Sequence, residues 1–215
     1  MGQKVNAKIL RLGPVFNWSS RWFEGKKYKE TLLEDFKIRK SLMAKLSNAG
    51  ISEIEIERSI NNLKIIAHVS KPGMVIGRGG TGLEELKTFI QKNLIKQSNV
   101  KNQFKLDIRV EQIQDPNLDA YLVAKNISEQ LIRRLPAKRV LVSTAEKVMG
   151  SGAKGVRIIL SGRIGGAEIG RREKLQQGTV PLSTIRANIG YASHPALTKK
   201  GYIGVKVWIN REEEK

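Results

Sequence analysis

The sequence of 215 residues contains no cysteine. This absence excludes disulfide bonds, cysteine-ligated zinc, iron–sulfur clusters and a thiol nucleophile. Histidine is almost as scarce, with two in the chain, so neither histidine has the partners that a metal site needs. We therefore expect the protein to use no metal and no other cofactor.

Long apolar runs and a secretion signal are also missing. No stretch approaches the ~20 apolar residues that cross a bilayer. The first residues include a lysine but no apolar run behind it, so they do not form a secretory signal. Serine, histidine and aspartate occur without a recognisable nucleophile motif, and we do not expect an enzyme.

The chain has a large excess of positive charge. Lysine and arginine number 39 against 20 acidic residues, which gives a net charge of +19. The surplus is spread over segments with hydrophobic periodicity rather than kept in a tail. Such a field attracts polyanions, because neutralised phosphates release their counterions. Nucleic acid is the favoured partner, and an anionic membrane surface is the alternative.

Composition and hydrophobic periodicity divide the chain into three parts. We predict an N-terminal arm over residues 1–28, an α+β domain over 29–113 and a second mixed α+β domain over 114–215. The break between the domains is placed at Asp115, Pro116 and Asn117. The arm is expected to be irregular and to dock through its aromatic side chains, which are Phe16, Trp18, Trp22 and Phe23.

The first domain shows helix, strand, strand, glycine loop, helix and strand in that order. The apolar face of its first helix, over 29–48, is expected to be Leu32, Phe36, Met43 and Leu46, with Arg39 interrupting it. Strands are predicted around 53–57, with Glu53, Glu55 and Glu57 outward, and over 63–69, with His68 on the polar side. A turn at Asn61 and Asn62 joins them. The later elements are a helix from Leu83 to Leu94 and a strand from Phe104 to Val110.

The second domain begins with two helices and ends in strands. Helices are predicted over 120–131 and 138–148. Strands are predicted over 156–160, around 180–192 and over 205–209. His194 is expected in a loop before Pro195.

The glycine-rich stretch at 73–82, GMVIGRGGTG, supports two interpretations. Gly77, Gly79 and Gly82 match G-x-G-x-x-G, the dinucleotide fingerprint of a nucleotide-binding protein. In that fold an apolar strand feeds straight into the first glycine and an acid follows about twenty residues later. Here Pro72 and Gly73 separate the strand from the loop, and Lys101 and Asn102 occupy the region where the acidic residue is expected. Both features count against the dinucleotide interpretation.

The second interpretation is the loop of a KH domain, which clamps the backbone of about four nucleotides. Glycines let the sugar-phosphate chain come close, and Arg78 brings a cation to the phosphates. The predicted RNA-binding residues of this loop are Gly77, Arg78, Gly79 and Gly80. The helix and strand before the core fit the type II arrangement.

Several separated blocks carry a more specific resemblance. They are 1–6 (MGQKVN) with 11–13 (RLG), 71–77 (KPGMVIG), 152–155 (GAKG), 161–168 (SGRIGGAE), 180–182 (VPL) and 201–208 (GYIGVKVW). In this order, over nearly the whole chain, they resemble the bacterial or organellar form of the universal small-subunit ribosomal protein number three.

The resemblance implies an α+β fold with a type II KH domain followed by a mixed α+β domain. It also implies a structural constituent of the small ribosomal subunit that binds ribosomal RNA in the subunit head. The expected place is the ribosome, in the cytoplasm or an organelle interior, with neighbouring head proteins as contacts. Messenger RNA would be a further partner, at the channel through which it enters.

The family's messenger-facing residues match Arg133, Arg134, Lys138 and Arg139. Alternatively, Arg133 and Arg134 simply complement a helix C-terminus. Further basic residues of the family pattern are replaced here by Val142 and Ser143, which weakens the expectation of messenger unwinding. Other expected ribosomal RNA contacts are Arg163, Arg171, Arg172, Lys199 and Lys200.

Overall fold

The computed structural model describes residues 4–59, 62–92 and 105–211. It divides into two compact units. The first is Trp18–Gln114, and the second combines the residues up to Asn17 with those from Asp115 onward. The division near the N-terminus therefore falls inside the segment 1–28 that the sequence analysis treats as one arm.

The first unit contains one mixed sheet with helices on it. Its elements are β1 (Ser20–Arg21), α1 (Tyr28–Lys45), β2 (Ile51–Arg58), β3 (Asn62–Val69), α2 (Pro72–Ile76), α3 (Thr81–Ile90) and β4 (Lys105–Gln112). The sheet order is β1-β2-β3-β4. β2 and β3 are antiparallel, whereas β1 pairs with β2 and β3 pairs with β4 in parallel. Asn61, Leu94, Lys101, Asn102 and Phe104, named in the predictions, lie outside the described residues.

The buried face of α1 differs from the prediction. Leu46 is buried, but Leu32 is 47% and Phe36 is 60% exposed. The helix instead buries Asp35, Ile38 and Leu42, which follow at spacings of three and four. A carboxylate on the core side is tolerated because Asp35 accepts hydrogen bonds from Arg58 Nε at 2.7 Å and Trp22 Nε1 at 2.8 Å.

The N-terminal aromatics do not all dock as predicted. Trp22 is held by Asp35 and lies 5.2 Å from the Tyr28 ring, centroid to centroid. By contrast, Trp18 is 65% exposed and Phe23 is 98% exposed. Phe16 is half-buried in the second unit, with Lys8 Nζ 5.8 Å from its ring centroid.

The second unit is a helix layer on an antiparallel sheet. Its elements are α4 (Ala120–Ile132), α5 (Ala137–Gly150), β5 (Gly155–Gly162), β6 (Arg171–Gly178), β7 (Ile189–Thr198) and β8 (Gly201–Asn210). The sheet order is β6-β5-β8-β7, and each neighbouring pair is antiparallel. The helices pack on the sheet through one apolar cluster that includes Ile127, Val148, Ile158 and Val207.

Two sequence-based assignments in this unit are wrong. The strand predicted around 180–192 begins only at Ile189, and residues 180–188 form turns instead. His194 lies within β7 rather than in a loop, and its ring contacts Tyr121 of α4 edge-on at 6.0 Å between centroids. β6 was not predicted at all, because its sequence RREKLQQG has one large apolar residue and forms a strand by pairing with β5.

The turns over 180–188 hold a buried arginine from the start of the chain. Arg11 is fully buried and its guanidinium donates only to backbone carbonyls. Nε donates to Ala187 O at 2.8 Å, Nη1 to Ala7 O at 3.0 Å, and Nη2 to Thr184 O at 2.8 Å and Leu182 O at 3.0 Å. Burial lowers the pKa of Arg11 from its ordinary value. The N-terminal segment is thereby fastened to this loop.

Candidate nucleic-acid interface

The glycine loop connects two helices that follow β3. α2 ends at Ile76, and α3 begins at Thr81, so Gly77, Arg78, Gly79 and Gly80 form the whole connection. The three glycines have φ of 70°, 62° and 82°. These left-handed values strain any residue with a Cβ, which explains the choice of glycine at all three positions.

Close packing just after the loop, in the first turn of α3, fixes a fourth glycine. A Cβ placed on Gly82 would lie 2.4 Å from Val75 O and 3.0 Å from Ile76 O. At Gly79 and Gly80 a Cβ would meet nothing within 4 Å, so the outer side of the loop is open. The loop therefore presents bare backbone outward while its inner side is packed tightly against α2.

Exposed side chains surround this open backbone. Arg78 and Lys71 are exposed, and no described carboxylate pairs with either. Met74 is 61% and Ile76 is 38% exposed. The sequence analysis did not identify these two apolar residues. They could have been identified because they lie directly before the loop, in a helix too short to bury both side chains. Cations, bare backbone and apolar groups together suit phosphates and bases of one nucleic-acid strand.

The dinucleotide interpretation of the same glycines finds no matching architecture. A dinucleotide fold requires a strand leading directly into the first glycine of a parallel sheet unit. Here α2 lies between β3 and Gly77, and β3 pairs antiparallel with β2. The geometry is that of two helices joined by a short glycine loop.

A second basic cluster lies at the connection between α4 and α5. We call its four exposed residues the turn cluster: Arg133, Arg134, Lys138 and Arg139. Arg133 caps the C-terminus of α4, and Lys138 and Arg139 lie in the first turn of α5. No described carboxylate forms an ion pair with any of them.

Helix electrostatics do not account for this cluster. A cation at a helix C-terminus is stabilised by the dipole, which applies to Arg133. Lys138 and Arg139 lie at a helix N-terminus, where cations are unfavourable and where α5 has no acidic residue. Arg134 has φ of 63°, and it is the one non-glycine residue with positive φ in the described chain. Simple complementation of a helix end therefore explains one of the four residues.

The remaining predicted RNA contacts differ in whether their side chains already have a partner within the protein. Arg163 Nε donates to Ala167 O at 2.8 Å, and Lys200 Nζ donates to Gly166 O at 3.3 Å, so both lie at one turn. Arg171 forms an ion pair with Glu173 at 3.0 Å. Arg172 and Lys199 are exposed and have no described carboxylate partner.

The outward side of the first sheet is occupied by its own ion pairs. Arg21 Nη2 lies 2.6 Å from Glu55 and 2.8 Å from Glu57, and Lys64 Nζ lies 3.0 Å from Glu57. The hydrogen bond from Lys64 lowers the pKa of Glu57 below its ordinary value, and nearby cations add to this. His68 lies on this side, 3.3 Å from Glu55 and 3.6 Å from Glu111. These glutamates support the sheet and are not arranged for acid–base chemistry.

Among the described residues, no three histidine or acidic side chains come together as a metal site. Within the same ranges, no helix combines the length and apolarity that a bilayer crossing requires.

Fold and surface together define a basic RNA-binding protein with a KH domain. A family model described as "KH domain" matches residues 37–118, and one described as "Ribosomal protein S3, C-terminal domain" matches residues 127–209. Small ribosomal subunit protein uS3 of Desulforudis audaxviator is 47% identical over 214 residues, covering 99% of this chain and 94% of that protein. The uS3 proteins of Lactobacillus helveticus and Clostridium novyi are 45% and 44% identical, with 99% of this chain covered.

The chain belongs to the uS3 family of small ribosomal subunit proteins. The predicted resemblance and the predicted order of a KH domain before a second α+β domain are confirmed. As a family member, the protein is a structural constituent of the small subunit with RNA-binding domains, and it acts in the ribosome in the cytoplasm. The relatives named above are small ribosomal subunit proteins.

Proposed function

We propose that the turn cluster lines the channel through which messenger RNA enters the small subunit and holds the strand by its phosphates. The protein's partners would then be ribosomal RNA and neighbouring head proteins on one side and messenger RNA on the other. In this role the protein contributes charge and shape and breaks no bond.

The observation that carries this proposal is the placement of the four cations. Lys138 and Arg139 occupy the unfavourable end of α5, and Arg134 adopts a strained backbone. Strain and charge repulsion of this kind persist in proteins where the residues serve a ligand. A phosphate chain between the two helix ends would neutralise all four residues at once.

Replacing Arg133, Arg134, Lys138 and Arg139 with alanine tests the proposal in reconstituted ribosomes. Translation through a stable messenger hairpin should slow, while translation of unstructured messenger should not. A control with alanine at the exposed residues Lys26, Lys147, Lys154 and Arg186 removes the same charge elsewhere. Equal hairpin passage by both variants would contradict the proposal. Val142 and Ser143, where the family pattern has cations, predict a modest rather than a complete effect.

The glycine loop is proposed as a second RNA contact, in which backbone at Gly79 and Gly80 approaches phosphates beside Arg78. The support is the open space at both glycines and the exposed cation. Arg78→Glu and Gly79→Asp should each weaken RNA binding, and the first should also reduce its salt dependence. Lys37→Glu makes the same charge change on α1 and is the control.

The same titrations separate RNA binding from the nucleotide-binding alternative. A mononucleotide that bound saturably and was displaced by Gly79→Asp would favour that alternative. If Arg78→Glu, Gly79→Asp and the control all bind RNA with equal affinity, the glycine loop is not part of the RNA interface.

We propose that the exposed side of α1 contacts neighbouring ribosomal proteins. Leu32, Leu33 and Phe36 are 47%, 48% and 60% exposed on one helix. Exposed apolar side chains that lie together on a surface are a feature of protein contact sites. Phe36→Ser should reduce incorporation into small subunits without unfolding the chain, and Ala44→Ser at an exposed site is the control.

A further inference from the structure

The sheet of the second unit has a face that α4 and α5 do not cover. In β5, Val156, Ile158 and Leu160 point into the core with the helices, so the intervening residues point to the other side. We call this other side the open face. Its members are Arg157, Ile159 and Ser161 of β5, Arg172, Lys174 and Gln176 of β6, Tyr191, Ser193, Pro195 and Leu197 of β7, and Tyr202, Gly204, Lys206 and Trp208 of β8.

The open face carries positive charge and no acid. Its cations are Arg157, Arg172, Lys174 and Lys206, and no carboxylate among the described residues pairs with any of them. Lys174 and Lys206 share a row on either side of Ile159, which places their Cα atoms about 10 Å apart at ordinary strand spacing. Arg172, Lys174 and Lys206 are exposed. Unpaired like charges so close together are stabilised by an anionic ligand.

Aromatic rings stand among these cations. Arg157 Cζ lies 5.4 Å from the Trp208 ring centroid, and Tyr191 packs on the other side of Trp208 at 5.2 Å. Arg157 Nε is buried without a hydrogen-bond partner in the described chain, so the ring rather than a carboxylate positions this guanidinium. Tyr202 is 67% exposed on the same face and pairs across the strands with Leu197.

We infer that the open face binds single-stranded RNA, with phosphates on its lysines and arginines and unpaired bases stacked on its tyrosines. This inference rests on the proposed RNA-binding function and adds a site made of residues other than those of the glycine loop and the turn cluster. A four-stranded sheet with exposed aromatics is a known kind of platform for unpaired bases. Stacking on an aromatic ring needs no particular base, because every base has a π-face.

A protein partner suits this surface less well. Protein interfaces are depleted of lysine, whereas the middle row of the open face has lysines on two of its four strands. Duplex RNA also suits it less, because paired bases are not available to stack on Tyr191 or Tyr202. The chemistry of the face selects an unpaired strand.

The test measures binding of the full chain to a labelled oligouridylate and to a blunt-ended RNA duplex, by fluorescence anisotropy over a range of salt. Lys174→Glu with Lys206→Glu should weaken binding of the oligouridylate about tenfold or more. Loss of two phosphate contacts should reduce the slope of log affinity against log salt by about 1.4. Lys147→Glu with Lys154→Glu, both at exposed sites outside this face, is the charge-matched control.

Tyr202→Ala isolates the stacking contribution, because Tyr202 is exposed and its removal leaves the core intact. Binding of the oligouridylate should weaken about fivefold or more, and binding of the duplex should be unchanged. Crosslinking with thiouridine-substituted RNA should then mark Tyr191 or Tyr202 in the unaltered chain.

Three outcomes would each overturn the inference. In the first, the lysine variants bind RNA as their control does, and in the second, Tyr202→Ala affects both RNAs equally. In the third, crosslinks are confined to Gly77–Gly80 and the turn cluster. The last outcome would leave the proposed function standing. If Arg78→Glu and the turn-cluster variant lose RNA binding but the Lys174 and Lys206 variant does not, the inference is likewise overturned and the proposed function still stands. The two ideas therefore fail separately.

Discussion

Arg11 donates from its guanidinium Nη2 to the carbonyl oxygen of Thr184 at 2.8 Å, across 173 residues of sequence. The contact is one of several that this buried side chain makes with carbonyls, and it has no carboxylate partner among the described residues. The folded loop over 180–188 therefore depends on a residue near the start of the chain.

Replacing Arg11 with methionine should lower the free energy of unfolding by about 3 kcal/mol, because several buried carbonyls lose their donor. Arg11→Lys should recover only part of this, because an ammonium cannot reproduce the planar fork of donors. Chemical denaturation measures both. Arg186→Met, at an exposed site in the same loop, should be close to neutral, and an equal cost there would contradict this account.

Asp35 is the second buried charge with a defined role. Asp35→Asn should destabilise the first unit by about 3 kcal/mol, because Arg58 keeps its charge in a largely buried site and loses its main partner. Thermal unfolding of the variant measures this. Glu30→Gln, which removes an exposed carboxylate from the same helix, is the control. Its free energy of unfolding should change by no more than about 0.5 kcal/mol.

The strain at Arg134 predicts a separation of stability from function. Arg134→Gly should keep stability within about 1 kcal/mol of the parent, because glycine adopts φ of 63° without penalty. Passage through a messenger hairpin should nevertheless slow, since the cation is gone. Arg133→Gly should cost stability as well, because Arg133 has φ of −72° at the end of α4. If the Arg134→Gly variant passes the messenger hairpin at the normal rate, the strained backbone at Arg134 does not serve messenger binding.

Two glycines in the helices on either side of the glycine loop should respond in opposite ways to alanine. Gly82→Ala should reduce both RNA affinity and stability, by about 2 kcal/mol or more, because its Cβ would clash with the carbonyl of Val75. Gly73→Ala should be neutral or slightly stabilising, because a Cβ there meets nothing within 4 Å and the residue lies in α2. Denaturation and RNA titration of the pair provide the comparison.

The Glu57 carboxyl predicts a small acid sensitivity of the first unit. Its pKa is lowered in the folded state, chiefly by the hydrogen bond from Lys64. Its contribution to stability is therefore present above the ordinary pKa and is lost as pH falls through the folded value. Lys64→Met should raise the pKa of Glu57 toward its ordinary value, as followed by NMR titration of the side-chain carboxyl carbon. An unchanged titration would mean that Lys64 is not the main cause.

Periodicity predicted most helices and strands because their apolar faces are regular, as in the alternation of β4. It failed where tertiary partners overrode local pattern. The buried face of α1 was missed because Asp35 is polar, and only Arg58 and Trp22, from elsewhere in the chain, make its burial favourable. β6 was missed because its stability comes from pairing with β5 rather than from its own residues.

The candidate sites divide in the same way. The glycine loop could be located from sequence, because left-handed backbone and close packing demand glycine at fixed positions. The four residues of the turn cluster were named from family resemblance, and their RNA contacts stay a prediction. The open face could not have been found without β6, because Lys174 joins Lys206 and Trp208 only through the register of the sheet.

The membership of residues 4–17 in the second unit has a consequence for synthesis. A ribosome making this chain releases those residues first, yet their docking loop emerges some 170 residues later. The intervening unit is complete by then and can fold on the nascent chain, since domains generally fold as units as they emerge. Until then the leading segment has no native dock, and we expect nascent chains halted before the loop over 180–188 to lose it first to a protease.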